Sequence, residues 1–226
     1  MLYPTVAEQI VVPLTIPAHG EKFPFLADHP TLVASEHAYP GDMEIYGEGE
    51  PAEYVYQVVC GAVRTYKTLN DGRRQISAFH LPGDVFGLEC GAEHSRTAEA
   101  VIDTTARIMK RRALERAAQT DAKIACSLWT RTAADLRHAE DRMMLLGRKT
   151  AAERVANFLL EMERRLSSVG MVELPMSRRD IADYLGLTVE TVSRTLSDLN
   201  QWGALSFSGP RQFSLLNRER LAAMDM

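Results

Sequence analysis

The chain has 226 residues, 46% of them hydrophobic, and its 26 Lys/Arg against 30 Asp/Glu leave a net charge of −4. That is enough apolar material for two small cores, and no apolar run approaches the roughly eighteen residues of a membrane span. Cys60, Cys90 and Cys126 are odd in number and form no Cys-x-x-Cys pair, which excludes a disulfide framework or a zinc knuckle as the organising device.

Charge is unevenly divided. From Arg148 onward there are 11 Lys/Arg and 10 Asp/Glu, net +1, whereas the residues before it carry 15 and 20, net −5. Attraction to phosphate must therefore come from a few well-placed arginines, not from bulk charge.

Residues 1–30 contain Pro4, Pro13, Pro17, Pro24 and Pro30, too closely spaced for a long helix, and read as an arm packed on the next domain. The run Ile10-Val11-Val12-Pro13-Leu14 follows Glu8 and Gln9 and lacks a basic lead, so it does not read as a signal peptide. The expected location is the cytoplasm.

Residues 31–118 read as a β-roll of two sheets, a jelly roll in an α+β chain. Strands are expected at 53–60, 62–69 and 73–80, with Asn70-Asp71-Gly72 as a hairpin turn. Two similar turns, Tyr39-Pro40-Gly41-Asp42 and Leu81-Pro82-Gly83-Asp84, punctuate matching strand ends.

Residues 119–147 hold no proline and one long helical pattern. Ala125, Trp129, Thr132, Leu136, Ala139, Met143 and Leu146 alternate steps of four and three, the heptad spacing of a coiled-coil seam, so this helix is expected to pair with its twin in a parallel homodimer. Gly147-Arg148-Lys149 breaks the pattern and marks a hinge, and Thr150-Ala151-Ala152-Glu153 is a capping box for the next helix.

Residues 148–226 read as a winged helix-turn-helix. A helix at 154–166 turns Val155, Phe158, Leu159 and Met162 inward, and a short strand is expected at 172–176. Ser177 caps the next helix with Asp180 in capping-box position, Ile181, Ala182 and Leu185 form its apolar stripe, and Gly186 supplies the left-handed residue that ends it. Thr188 caps a second helix whose buried side is Val192, Leu196 and Leu199. The opposite face, in its first two turns, presents Glu190, Ser193 and Arg194 together with Val189, where a recognition helix meets base edges. Arginine suits guanine, and glutamate accepts from a cytosine amine. Ser177, Arg178, Arg179, Thr188, Thr191 and Arg211 surround this face as phosphate contacts, with Arg211 at the turn between wing strands 205–207 and 212–215.

Asp-Tyr-Leu-Gly-Leu-Thr followed by Glu-Thr-Val-Ser-Arg closely resembles the recognition region of the CRP/FNR transcription regulators, and Glu-x-x-Ser-Arg resembles the FNR and FixK branches within it. The order of turns Pro40-Gly41-Asp42, Gly47-Glu48-Gly49 and Pro82-Gly83-Asp84-Val85-Phe86-Gly87 resembles the family's sensory domain, and Ala151-Ala152-Glu153-Arg154-Val155-Ala156 its entry to the DNA-binding domain. The resemblance implies a homodimer on double-stranded DNA, a TTGAT-like half-site read by Glu190, Ser193 and Arg194, contact with RNA polymerase, and activation of low-oxygen or nitrogen-related genes.

Cyclic-nucleotide binders of this fold use Gly-Glu-Leu at the ribose and Arg-Ser or Arg-Thr at the phosphate. Here Arg96-Thr97 is present, but Gly87-Leu88-Glu89 displaces the glutamate by one position, so such binding is not expected. The cysteine cluster of an FNR iron–sulfur centre has no counterpart in residues 1–59, and His80, His94, Cys60 and Cys90 have no spacing that recommends them for haem. DNA binding without an obligatory cofactor is therefore expected; the alternative is a regulator gated by a small molecule in the β-roll. Ser177 lies where some FixK members carry a cysteine, which removes direct thiol control at that surface. No nucleophile–base pair, metal-ligand cluster or phosphate loop suggests an enzyme.

Overall fold

The computed structural model describes residues 32–166 and 171–224; the arm expected at 1–30 lies outside the described residues. Eight strands, β1 (Ala34–Tyr39), β2 (Glu44–Tyr46), β3 (Tyr54–Cys60), β4 (Val63–Thr68), β5 (Arg74–His80), β6 (Val85–Phe86), β7 (Thr97–Ala100) and β8 (Thr104–Lys110), form two antiparallel sheets ordered β1-β8-β3-β6 and β2-β7-β4-β5. The three strands expected from the sequence are β3, β4 and β5, each a residue shorter at one or both ends.

Alternation sets which face is inside: in β7 Ala98 and Ala100 are buried while Thr97 and Glu99 are half-buried. Between the sheets, Tyr56 sits 5.3 Å from Tyr46 and 5.1 Å from Phe86, centroid to centroid. The β4–β5 hairpin turns as expected, with Gly72 at φ +82° and the Leu69 N–H donating to the Arg73 carbonyl at 2.7 Å.

A helix not expected from the sequence, α1 (Arg111–Thr120), follows β8, and the long helix expected from 119 begins only at α2 (Ala122–Arg148). The break is at Asp121, which is extended and caps α2 by accepting from the Lys123 N–H at 2.8 Å. At its other end α2 stops within the expected break at Gly147-Arg148-Lys149, with Arg148 as its last residue and Lys149 as its C-cap.

The C-terminal part comprises α3 (Ala151–Leu166), β9 (Val172–Glu173), α4 (Arg178–Leu185), α5 (Val189–Gln201), β10 (Leu205–Phe207), β11 (Gln212–Leu215) and α6 (Arg218–Ala223). The strands make a wing ordered β10-β11-β9. The strand expected at 172–176 is only two residues long because Pro175 carries no N–H to continue the ladder. α3 starts at Ala151, before the expected 154, because Thr150 and Glu153 close their capping box, the Thr150 N–H reaching Glu153 Oε2 at 2.5 Å.

Val155, Phe158, Leu159 and Met162 of α3 are all buried, packed with Ile181, Leu185, Leu196, Leu199 and Phe213. This core does not stop at the β-roll. Ile76, Phe79 and Leu81 belong to the same apolar cluster, with Phe79 5.1 Å from the Tyr184 ring and 6.4 Å from Phe158.

Candidate nucleic-acid interface

The helix-turn-helix is built from short-range hydrogen bonds. Ser177 Oγ accepts from the Asp180 N–H at 3.2 Å, and Asp180 Oδ2 accepts from the Ser177 N–H at 3.0 Å and from its hydroxyl at 2.6 Å. α4 ends at Gly186, φ +63°, a conformation that costs an L-residue about 1–2 kcal/mol. One residue of connection follows before Thr188, whose Oγ1 accepts from the Thr191 N–H at 3.2 Å and so caps α5.

Val192, Leu196 and Leu199 face the core as expected, joined by Thr195. The opposite face of α5 presents Glu190 and Arg194 exposed to solvent, with Val189, Thr191 and Ser193 half-buried beside them. Glu190's own backbone N–H and the Thr188 hydroxyl hold its carboxyl below the usual carboxylate range, so it is an anion and accepts only.

Arg178 ties three elements together. Its Nη1 donates to Ser193 Oγ at 3.3 Å, and its guanidinium lies 5.9 Å from the centre of the Phe207 ring on the wing. Arg211 is exposed at the wing turn, and its Nη1 donates to the Pro175 carbonyl at 3.1 Å, fastening the wing to the approach of α4. Ser177, Arg179, Thr188, Thr191 and Arg211 line one open cleft of about 1100 Å³, whose far wall is the tip of the β4–β5 hairpin. Arg178 and Ser193 join this surface through their mutual bond; Glu190 and Arg194 lie on the adjoining helix face.

The seam residues of α2 divide into two groups. Ala125, Trp129, Thr132, Leu136, Ala139 and Met143 are exposed, with Trp129, Leu136 and Met143 at 69%, 60% and 69%. Leu146 departs from the pattern: it is half-buried, and its carbonyl accepts from Arg154 Nη2 at 2.8 Å, so the end of the seam is turned toward the helix-turn-helix. The other face of α2 packs on its own chain through Ile124, Arg131, Ala134 and Leu145.

In the β-roll, Arg96 and Thr97 do not act together. Arg96 is exposed, with Nη1 on Ser95 Oγ at 3.2 Å, while Thr97 Oγ1 accepts from the Glu48 N–H at 3.0 Å. Glu89 lies 3.6 Å from His94 Nδ1. Glu89 and Arg96, but not Thr97, line a cavity of about 730 Å³ between the roll and α2. Cys60, Cys90 and Cys126 are all exposed free thiols.

Sequence reasoning missed the wider role of Asp180. Besides closing the cap, its Oδ1 accepts from Arg64 Nη1 at 3.1 Å and Arg74 Nη2 at 2.7 Å, both from the β-roll. No local pattern signals a pair 116 residues apart.

Residues 36–121 match the model of the cyclic nucleotide-binding domain, and residues 153–224 that of the Crp-like helix-turn-helix domain. The "Nitrogen fixation regulation protein FixK" of Azorhizobium caulinodans is 48% identical over 187 residues, 80% of this chain and 75% of that one. The "Transcriptional activatory protein AadR" of Rhodopseudomonas palustris is 38% identical over 189 residues, 82% and 76% of the two chains. The solved structure of FixK2 from Bradyrhizobium japonicum superposes with a TM-score of 0.84 at 67% identity, over 86% of this chain and 98% of that one. With a β-roll, a long helix and a capped helix-turn-helix in this order, the chain is a DNA-binding transcription regulator, not an enzyme, and belongs to the FixK-like branch of the CRP/FNR family.

Proposed function

We propose that two copies join along α2 and read a palindromic TTGAT-like site as a transcription activator in the cytoplasm. The observation that carries this reading is the stripe from Ala125 to Met143, exposed along one face of α2 and spaced for a twin helix. Two-fold pairing would place two recognition helices in major grooves about 34 Å apart.

In each half-site Glu190, Ser193 and Arg194, with Val189 beside them, read bases. Arg194 donates to guanine and the ionised Glu190 accepts from a cytosine amine. Ser177, Arg178, Arg179, Thr188, Thr191 and Arg211 hold phosphates and fix the register without reading sequence. Since Arg178 already donates to Ser193, it also sets that hydroxyl's direction.

Binding needs no obligatory cofactor. The pattern that would hold a cyclic nucleotide is dispersed, with Thr97 committed to the Glu48 loop and Glu89 beside His94. The relatives' names speak of nitrogen fixation regulation and of activation. Carried to this chain, they support activation of nitrogen-related or low-oxygen genes through contact with RNA polymerase.

Fluorescence anisotropy of the purified protein on a TTGAT-type palindrome, with a TGTGA-type palindrome as competitor at several salt concentrations, tests the reading. Tight, selective binding with nothing added supports it. Binding to neither duplex until a cell extract is supplied would instead establish a regulator gated by a small molecule.

A further inference from the structure

The helix that carries the recognition helix is gripped at both ends by side chains from outside the DNA-binding domain. At its N-terminus, Asp180, 4% exposed, faces Arg64, 9% exposed, and Arg74. Arg64 is itself fixed in place: its Nη2 donates to Asp42 at 2.8 Å and also to Glu99. Arg74 Nε donates onward to Asp183 at 3.1 Å.

At the C-terminal end of α4, Gln75 Nε2 donates to the Asp183 carbonyl at 2.7 Å and Arg142 Nη2 to the Tyr184 carbonyl at 3.0 Å. These are carbonyls a helix end leaves without intrahelical partners, and the Arg142 cation suits that end of the dipole. The grip faces inward, toward the roll. Glu190 and Arg194 remain exposed on α5.

A single left-handed glycine and a capped turn leave α5 little freedom relative to α4, so whatever orients α4 orients the reading face. We propose that Arg64 and Arg74 of the β-roll are positioning residues for DNA recognition. Acting through Asp180 and Asp183, they set the angle at which each protomer presents α5, and so determine which half-site spacing the dimer accepts. This rests on the dimeric, palindromic reading above. Inserting or removing one base pair rotates one half-site by about a tenth of a turn, and a rigidly held pair of heads cannot follow that rotation.

The experiment measures affinity for palindromes with the natural spacing and with one base pair added or removed, and for a single half-site. It compares the wild type with Arg64→Gln and Arg74→Gln, after thermal unfolding and sedimentation have shown folded dimers. The wild type should bind the natural spacing selectively. Each variant should lose about tenfold there, bind the half-site as before, and discriminate less between spacings. If Arg64→Gln does not fold, Arg74→Gln, at a side chain 23% exposed, decides the matter.

Wild-type protein that binds all spacings alike would overturn the palindromic reading, and this inference with it. A selective wild type whose variants keep the same spacing profile would overturn the positioning role alone. A loss equal on every duplex, the half-site included, would also overturn it, because that is the signature of general damage to the fold.

Discussion

Replacing Trp129 with alanine should dissociate the dimer proposed above. The residue is 69% exposed in the protomer, in the α2 stripe with Leu136 and Met143. An aromatic of this size offers roughly 250 Å², so about 170 Å² is available to a partner, of which an alanine keeps about a third. At about 25 cal/mol per Å² the loss is about 3 kcal/mol per protomer. A two-stranded seam leaves part of each ring in water, so the two copies together lose about 4 kcal/mol, close to a thousandfold in the dimer dissociation constant. Sedimentation equilibrium across nanomolar to micromolar protein reads this directly, and the DNA-binding midpoint should move with protein concentration in the variant only. A dimer constant unchanged by Trp129→Ala, measured beside an Arg137→Ala control, would refute the reasoning that α2 is the seam.

Three further expectations follow from particular contacts. Arg194→Ala and Glu190→Ala should each remove about 1–3 kcal/mol of base discrimination, whereas Arg211→Ala should weaken all sequences alike and lower the salt slope by about one. Competition titrations at several salt concentrations separate the two behaviours. Gly186→Ala should cost about 1–2 kcal/mol of stability through its left-handed backbone alone, because the added carbon would meet Arg154 and Leu146 only at 3.8 Å; urea unfolding measures it. His94 is buried with its ring 3.5 Å from Tyr46, and that burial outweighs Glu89 and pushes the imidazole below its ordinary 6.5. Above that value folded and unfolded chains are both neutral. As pH falls below it, the unfolded chain takes up a proton that the folded one resists, so stability should decline until pH passes the lowered folded value. Urea midpoints between about pH 7.5 and 5 should fall less for His94→Gln than for the wild type.

Local signals carried the helix-turn-helix. Ser177 with Asp180, Gly186 and Thr188 are each the residue type that one backbone position demands, and each occupies that position. The hairpin at Asn70-Asp71-Gly72 was readable for the same reason. α1 was not, because Arg111 to Thr120 has no residue to cap its start: Lys110 makes no side-chain cap, and the helix is held by Leu114 and Ala117 packing against residues such as Val55 and Met109 of the roll. The break at Gly147-Arg148-Lys149 was legible, since α2 ends there with Lys149 as its C-cap.

The candidate site divides along the same line. Which residues of α5 face outward follows from a period of 3.6 and one buried stripe, so Glu190, Ser193 and Arg194 could be named from the sequence. How that face is aimed could not be, because it depends on side chains drawn from opposite ends of the chain. Asp180 answers two demands at once: a helix start that needs an acceptor for the Ser177 N–H, and a sheet that presents Arg64 and Arg74. The first is visible within four residues and fully accounts for an acid there, so nothing in the sequence asks for the second. Yet the second is the more demanding, since a carboxylate this buried is strongly destabilising once its cations are removed, whereas a lost cap costs about 1 kcal/mol. Asp180→Asn therefore separates them: asparagine keeps an acceptor oxygen for the cap but removes the charge facing the arginines, and a loss of spacing selectivity with α4 intact is the outcome that the interdomain role requires.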